Sequence, residues 1–222
     1  FDFSQLDRPW IYSLAINHEP WRNLENYKAD GWIFFDENIA RSHLHSPCAS
    51  CGGSGLNLPK RTEVFAPRKI VGEIPEDTPW LDRTYIFDRA YPWSTKSTGL
   101  YVKKTTATGA LCLCVSMGFK RIALLGVDLY SPKGEHYYHG KNPKSKISSK
   151  KGEKVYLENS RIDHQQIEMI TDFSYIARKL ARERDIEIFQ TSLRSPLECF
   201  EKKRWKEVVQ HHQSNSIKES HG

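Results

Sequence analysis

Residues 105–130 read TTATGALCLCVSMGFKRIALLGVDLY, and this stretch decides the fold class. Threonines open it, small and apolar residues fill its middle, and Gly118 follows, so residues 105–118 are predicted to form a helix with a polar start and a glycine stop. RIALLGVDLY then reads as a buried parallel strand, apolar on both faces. A helix, a glycine and a buried strand in that order form the second half of a β-α-β crossover.

The same grammar recurs on either side. WIYSLAI (10–16) and GWIFF (31–35) are short, mostly apolar strand candidates closed by Asn17 and Asp36. The polar segment between them has Pro20 at a helix start, which completes a β-α-β reading. Residues 43–55 read as a loop. Residues 62–65, 69–71 and 84–87 are further strand candidates, and 73–83, with Pro75 and Pro79, reads as irregular. Residues 162–183 carry apolar side chains at 167, 169, 170, 173, 176, 177 and 180, the spacing of an amphipathic helix. DIEIF (185–189) is a last strand candidate. Strands alternating with helices predict an α/β protein with a parallel sheet. One domain is expected over 1–200, followed by a basic polar tail over 201–222.

Composition narrows the function classes. The 222 residues carry a formal net charge of +6, yet seven lysines fall between Lys133 and Lys154 and the rest is near neutral. That block reads as a solvated loop or as an electropositive lid (131–155) over an anionic ligand, rather than as a nucleic-acid surface. Apolar runs fall far short of the roughly 20 residues of a membrane-spanning helix. No apolar signal core follows Phe1, and the chain does not begin with Met. Five cysteines, two of them (Cys112, Cys114) in an apolar run, suggest a reducing cytoplasm over a disulfide framework.

In an open parallel sheet, ligands lie beyond the carboxyl ends of the strands. That rule selects Asn17, Asp36, and Gly126, Asp128 and Tyr130 at the end of the RIALLGVDLY strand. The start of the 105–118 helix, with Thr105, Thr106 and Thr108, is an anion site of the usual kind. Each residue also has a plainer role open to it, as a cap or a turn. His43, His45, Cys48 and Cys51 fall within nine residues. They could ligate zinc, carry a redox pair, or form a polar loop. Trp80, Tyr91 and Trp93 could stack on a sugar or pack in the core.

The segment KKTTATGALCLCVSMGFKRIALLGVDLYSPKGEHYY resembles the core motif of the family 42 bacterial sialyltransferases. It also resembles the motility-accessory and hydroxymethylpterin diphosphokinase-like family. WIYSLAINHEPW and GWIFFDENIA are similar to the segments that follow that superfamily's first turn. The resemblance implies a Rossmann-like fold and a CMP-sugar donor, with no cofactor and no metal. Asn17 and Asp36 would contact nucleotide and donor. Thr105 and Thr106 would hold the phosphate or carboxylate, and Lys103 or Lys104 would stand in for the family's arginine. Tyr130, and Tyr137 or its neighbour Tyr138, would hydrogen-bond the leaving phosphate, with His164 as general base. The family's Gly-x-Gly-Pro-Ser turn and its preceding strand have no counterpart here, so they are expected upstream of Phe1 or are lacking.

The sequence therefore leads to a cytoplasmic sialyltransferase-like glycosyltransferase acting on a glycan acceptor, with homo-oligomerisation left open. Two alternatives stand beside it: a diphosphokinase-like enzyme using ATP and magnesium at Asp36 and Asp128, and a truncated nucleotide-binding domain without turnover.

Overall fold

The computed structural model describes residues 3–17, 28–44, 58–94, 99–127, 129, 164–183 and 185–210. The chain divides into two compact units, 1–110 and 111–222. It is an α/β protein built on parallel strands.

The first unit holds a five-stranded sheet: β1 (Leu14–Ile16), β2 (Gly31–Ile33), β3 (Glu63–Pro67), β4 (Thr84–Arg89) and β5 (Gly99–Leu100). The strands lie in chain order and every pair is parallel. The expected strand over 10–16 is paired only at its end. Ser13 just ahead is fixed to Asp30, whose Oδ2 accepts from its N–H (2.9 Å) and hydroxyl (2.7 Å). Residues 69–71, expected as a strand, are helical instead, in α2 (Arg68–Val71). Pro67 ends β3 in extended geometry and supplies the N-cap, and Gly72 closes the turn. The three residues Lys69–Val71 carry too little periodicity to separate the two forms. Helix α1 (Glu37–Ser42) follows β2, and a 3-10 turn (Leu81–Arg83) lies within the stretch expected to be irregular.

Register pairs Trp32 with Val64 and Ile33 with Phe65, and then Val64 with Thr84 and Phe65 with Tyr85. Even and odd positions of these strands therefore face opposite ways. On the even face Trp32, Phe34, Val64 and Ala66 form a buried cluster with Ala40 of α1, Ile70 of α2, and Trp80. Trp32 meets Trp80 edge-on at 5.3 Å and Phe34 at 4.3 Å. Burying each such side chain contributes about 2 kcal/mol. On the odd face Phe35 contacts Phe87, with ring centroids 4.9 Å apart. That face also takes α3 (Thr106–Ser116) through Gly109, where an added Cβ would sit 2.5 Å from the Phe35 ring. Helices α1 and α2 thus cover the even face, and the start of α3 meets Phe35, just beyond β2, on the odd one.

The second unit pairs β6 (Arg121–Leu124), β7 (Glu187–Gln190) and β8 (Glu201–Lys202), all parallel. The expected helix at 105–118 is present as Thr106–Ser116, shorter by one residue at its start and two at its end. Gly118 at φ +89 lets its own N–H reach Val115 O and the Phe119 N–H reach Cys114 O, the glycine-dependent double bond of a Schellman close. β6 is shorter than the ten-residue run that predicted it, because Gly126 turns the chain at φ +66. Its residues alternate between half-buried and buried rather than being covered throughout. Helix α4 (His164–Glu183) buries Phe173, Ile176 and Leu180, the face that its spacing predicted. β8 and the helical residues 205–210 occupy the start of the stretch expected to be a tail.

Candidate functional site

The chain is held at several points just past the carboxyl end of β1. Asn17 stands in the left-handed region at φ 53, which asparagine tolerates better than most side chains. Its N–H donates to Ile33 O (3.1 Å) and its carbonyl accepts from the Trp32 indole N–H (2.7 Å). With the main chain so fixed, the side chain turns to α3: Asn17 Oδ1 accepts from the Thr106 hydroxyl at 3.1 Å, across 89 residues of sequence. Thr106 and Gly109 are three apart and share one helix face. That face therefore meets the end of β1 through Asn17 and the end of β2 through Phe35.

Thr105 is the cap of α3. Its hydroxyl accepts from the Ala107 N–H (3.2 Å), and its carbonyl accepts from the Thr108 hydroxyl (2.8 Å). Local capping thus occupies the Thr105 oxygen, while Thr106 reaches across to the sheet. Lys103 and Lys104 are exposed just ahead of the helix. Asp36 is the N-cap of α1, with Oδ1 accepting from the Asn38 N–H at 2.8 Å. Arg89, at the end of β4, lies over the Phe35 ring, 5.9 Å from its centroid.

In the second unit Gly126 sits in the turn after β6, and Asp128 beyond it lies outside the described residues, as do Tyr130, Tyr137 and the 131–155 segment. His164 is the first residue of α4, and its side chain is likewise outside the description. What the structure adds here is a buried polar knot. Gln190 at the end of β7 is fully buried, and its Nε2 donates to Val127 O (2.7 Å) and Ser195 Oγ (3.2 Å). Its Oε1 accepts from the Ser192 N–H (3.0 Å). This knot fixes the backbone one residue before Asp128.

His45, Cys48 and Cys51 lie outside the described residues. His43 is a core side chain. It is fully buried, its Nδ1 faces Ile39 O at 2.8 Å, its carbonyl accepts from the Trp80 indole (3.0 Å), and it stands edge-on to Trp32. Facing a carbonyl, that nitrogen carries the proton. Among the described residues no three His, Cys, Asp or Glu side chains gather as a metal site. Trp80 and Trp93 are fully buried and serve as packing, whereas Tyr91 is 79% exposed. Burial pushes the Cys114 thiol up to about 12 and raises that of Cys199, so neither supplies a thiolate near neutral pH.

Of the residues selected from sequence, Asn17 and Thr106 are brought into contact. Phe35 carries the chain from that junction to Asp36, which is committed to its cap. Trp32, Arg89, Gln190 and Ser195 were not selected. Arg89 and Gln190 end strands β4 and β7, so the strand-end rule reaches both once those strands are known. Trp32 gave no signal beyond its apolar character.

Comparison with protein-family models, curated proteins and solved structures finds no match to the chain. Among the described residues, no helix is long and apolar enough to cross a membrane.

Proposed function

We propose that the chain is a Rossmann-like, sialyltransferase-related protein of the cytoplasm that binds a CMP-sugar and transfers the sugar to a glycan acceptor. The observation that carries this reading is the Asn17–Thr106 hydrogen bond. It joins a carboxyl-terminal strand end to the first turn of a helix, where the helix dipole favours a phosphate. A left-handed asparagine at such a junction is the kind of outlier found at ligand sites.

The chemistry follows from these groups. The acceptor oxygen attacks the anomeric carbon, the bond from that carbon to the phosphate oxygen breaks, and CMP leaves with the electron pair. The start of α3 stabilises the charge growing on the phosphate, typically by a few kcal/mol per well-placed donor; the resemblance assigns the same task to the hydroxyls of Tyr130 and Tyr137, which lie outside the described residues. His164 takes the acceptor's proton, a contribution typically of 10²–10⁴-fold. Lysines of the 131–155 segment screen the donor's charge and keep water from it.

CMP should raise the melting temperature in metal-free buffer. A rise that requires ATP with magnesium would instead favour the diphosphokinase-like reading, and no rise with either would favour a domain that does not bind these nucleotides. His164→Ala should abolish transfer and leave CMP affinity within about threefold, because a base acts on the acceptor proton and not on the nucleotide. Unchanged turnover, or lost CMP affinity, would remove His164 from that role.

A further inference from the structure

Helix α4 has two sides of different character. Phe173, Ile176 and Leu180 are buried on its inner side. On the outer side Ile167 is 53% exposed, and Ile170, Thr171, Ser174, Ala177 and Arg178 line a groove of about 530 Å³ together with Cys199. These helix positions recur at intervals of three and four, so they run along one stripe. The middle of the stripe is apolar or small, where a helix face turned to solvent normally carries charge. Arg178 at one end is exposed, and its Nε donates to Ser174 O at 3.3 Å.

Charge selects the occupant of this stripe. Glu168 and Arg178 border it ten residues apart, with Phe173 at the midpoint, a separation of about 15 Å along the axis. A second copy laid antiparallel across α4, with a two-fold axis at the level of Phe173, brings Glu168 of each copy to Arg178 of the other. A parallel copy in register would set like charges together at both ends. The antiparallel alignment also puts Ile170 of one copy at the level of Ile176 of the other, beside the groove between Ser174, Ala177 and Cys199. Thr171, Ser174 and Ala177 are short enough to let the helix axes approach to about 8 Å. A two-fold contact requires a surface that complements itself, and the charges of this stripe do so only when the helices run in opposite directions.

We infer that the outer face of α4 is a self-association surface, which joins two copies of the chain through antiparallel α4 helices. The inference does not depend on the nucleotide reading above. A single helix pair buries less than the roughly 1,200 Å² of a standard interface, so the dimer should be weak and dependent on concentration.

Sedimentation equilibrium of the full chain at low salt, from micromolar to millimolar concentration, tests it. The native chain should pass from monomer to dimer across that range. Glu168→Arg and Arg178→Glu should each weaken association about tenfold or more, because each sets like charges together at both ends of the contact. Mixed in equal amounts, the two variants should associate with each other about as tightly as the native chain does, since opposite charges then meet again at both ends. Thr171→Glu, at an exposed position in the middle of the stripe, should weaken the dimer by about tenfold and covers the case in which a charge-reversed chain does not fold. Lys69→Glu, an exposed reversal on α2, should leave association unchanged. A native chain that stays monomeric throughout, a dimer that none of the α4 variants weakens, or a mixture that associates no more tightly than either variant alone would overturn the inference.

Discussion

Among the described residues, Asn17 follows β1 and Gln190 ends β7, one carboxamide in each unit, and their circumstances differ. Gln190, after β7, is fully buried, and its amide is used from both ends, by Val127, Ser195 and Ser192. Asn17, after β1, is half-buried, holds a left-handed backbone, and makes a side-chain bond to the Thr106 hydroxyl at a helix start. The residue chemistry and the place in the topology are alike. What separates them is hydrogen-bond saturation: a side chain whose donors and acceptors are all consumed by the protein is structural, whereas one held in strained geometry with capacity remaining can meet a ligand.

The comparison breaks most sharply at Gln190. Gln190→Leu keeps the volume but leaves the Val127 carbonyl and the Ser192 N–H without the amide in a buried site. About 2–3 kcal/mol of stability should be lost, as read by denaturant unfolding. CMP affinity in the variant should remain within about threefold. A loss below about 0.5 kcal/mol would mean that the knot contributes little.

Asn17 should show the reverse. In Asn17→Gly the left-handed backbone is relieved while the amide is lost, so stability should change by less than about 1 kcal/mol and CMP affinity should fall by about tenfold. Asn17→Ala keeps a Cβ at positive φ and should be less stable than Asn17→Gly by about 1 kcal/mol. If both variants keep native CMP affinity, Asn17 belongs with Gln190 as a structural residue.

The smallest effect concerns Glu37, in the first turn of α1. The Arg41 guanidinium hydrogen-bonded to it holds its carboxyl below the usual 4.5. A depressed folded value stabilises the native state above the unfolded value and is lost as pH falls through the folded one. Glu37→Gln should therefore be slightly less stable than the native chain at neutral pH, with the gap closing in acid below 4.5. Both carboxylate and guanidinium are exposed, so the difference is small and diminished by salt. A gap that widened in acid would contradict the sign.

Local physics made part of this legible. Capping threonines, Gly118 and the apolar spacing of 162–183 each act within a few residues, so α3 and α4 were readable. The rule that ligands meet strand ends located Asn17, but nothing local could reveal that its partner lies 89 residues on. Residues 69–71, Lys-Ile-Val, are too few for a strand or helix period to show, and they form the helical turn between Pro67 and Gly72. His43 was readable as a metal ligand from its neighbours alone. Its burial against Trp32 and Trp80 depends on long-range packing, which spacing along the chain does not encode. Asp36 followed the plainer of its two readings, since a cap needs only the Asn38 N–H two residues away.

The central claim is that the Asn17–Thr106 junction receives a nucleotide phosphate. Amide chemical-shift mapping of the isotope-labelled full chain during a CMP titration tests it most directly. The account predicts saturable shifts concentrated at Asn17 and at the amides of Thr105, Thr106, Ala107 and Thr108. Saturable CMP shifts that leave those five amides unmoved, or no shifts at all, would contradict it.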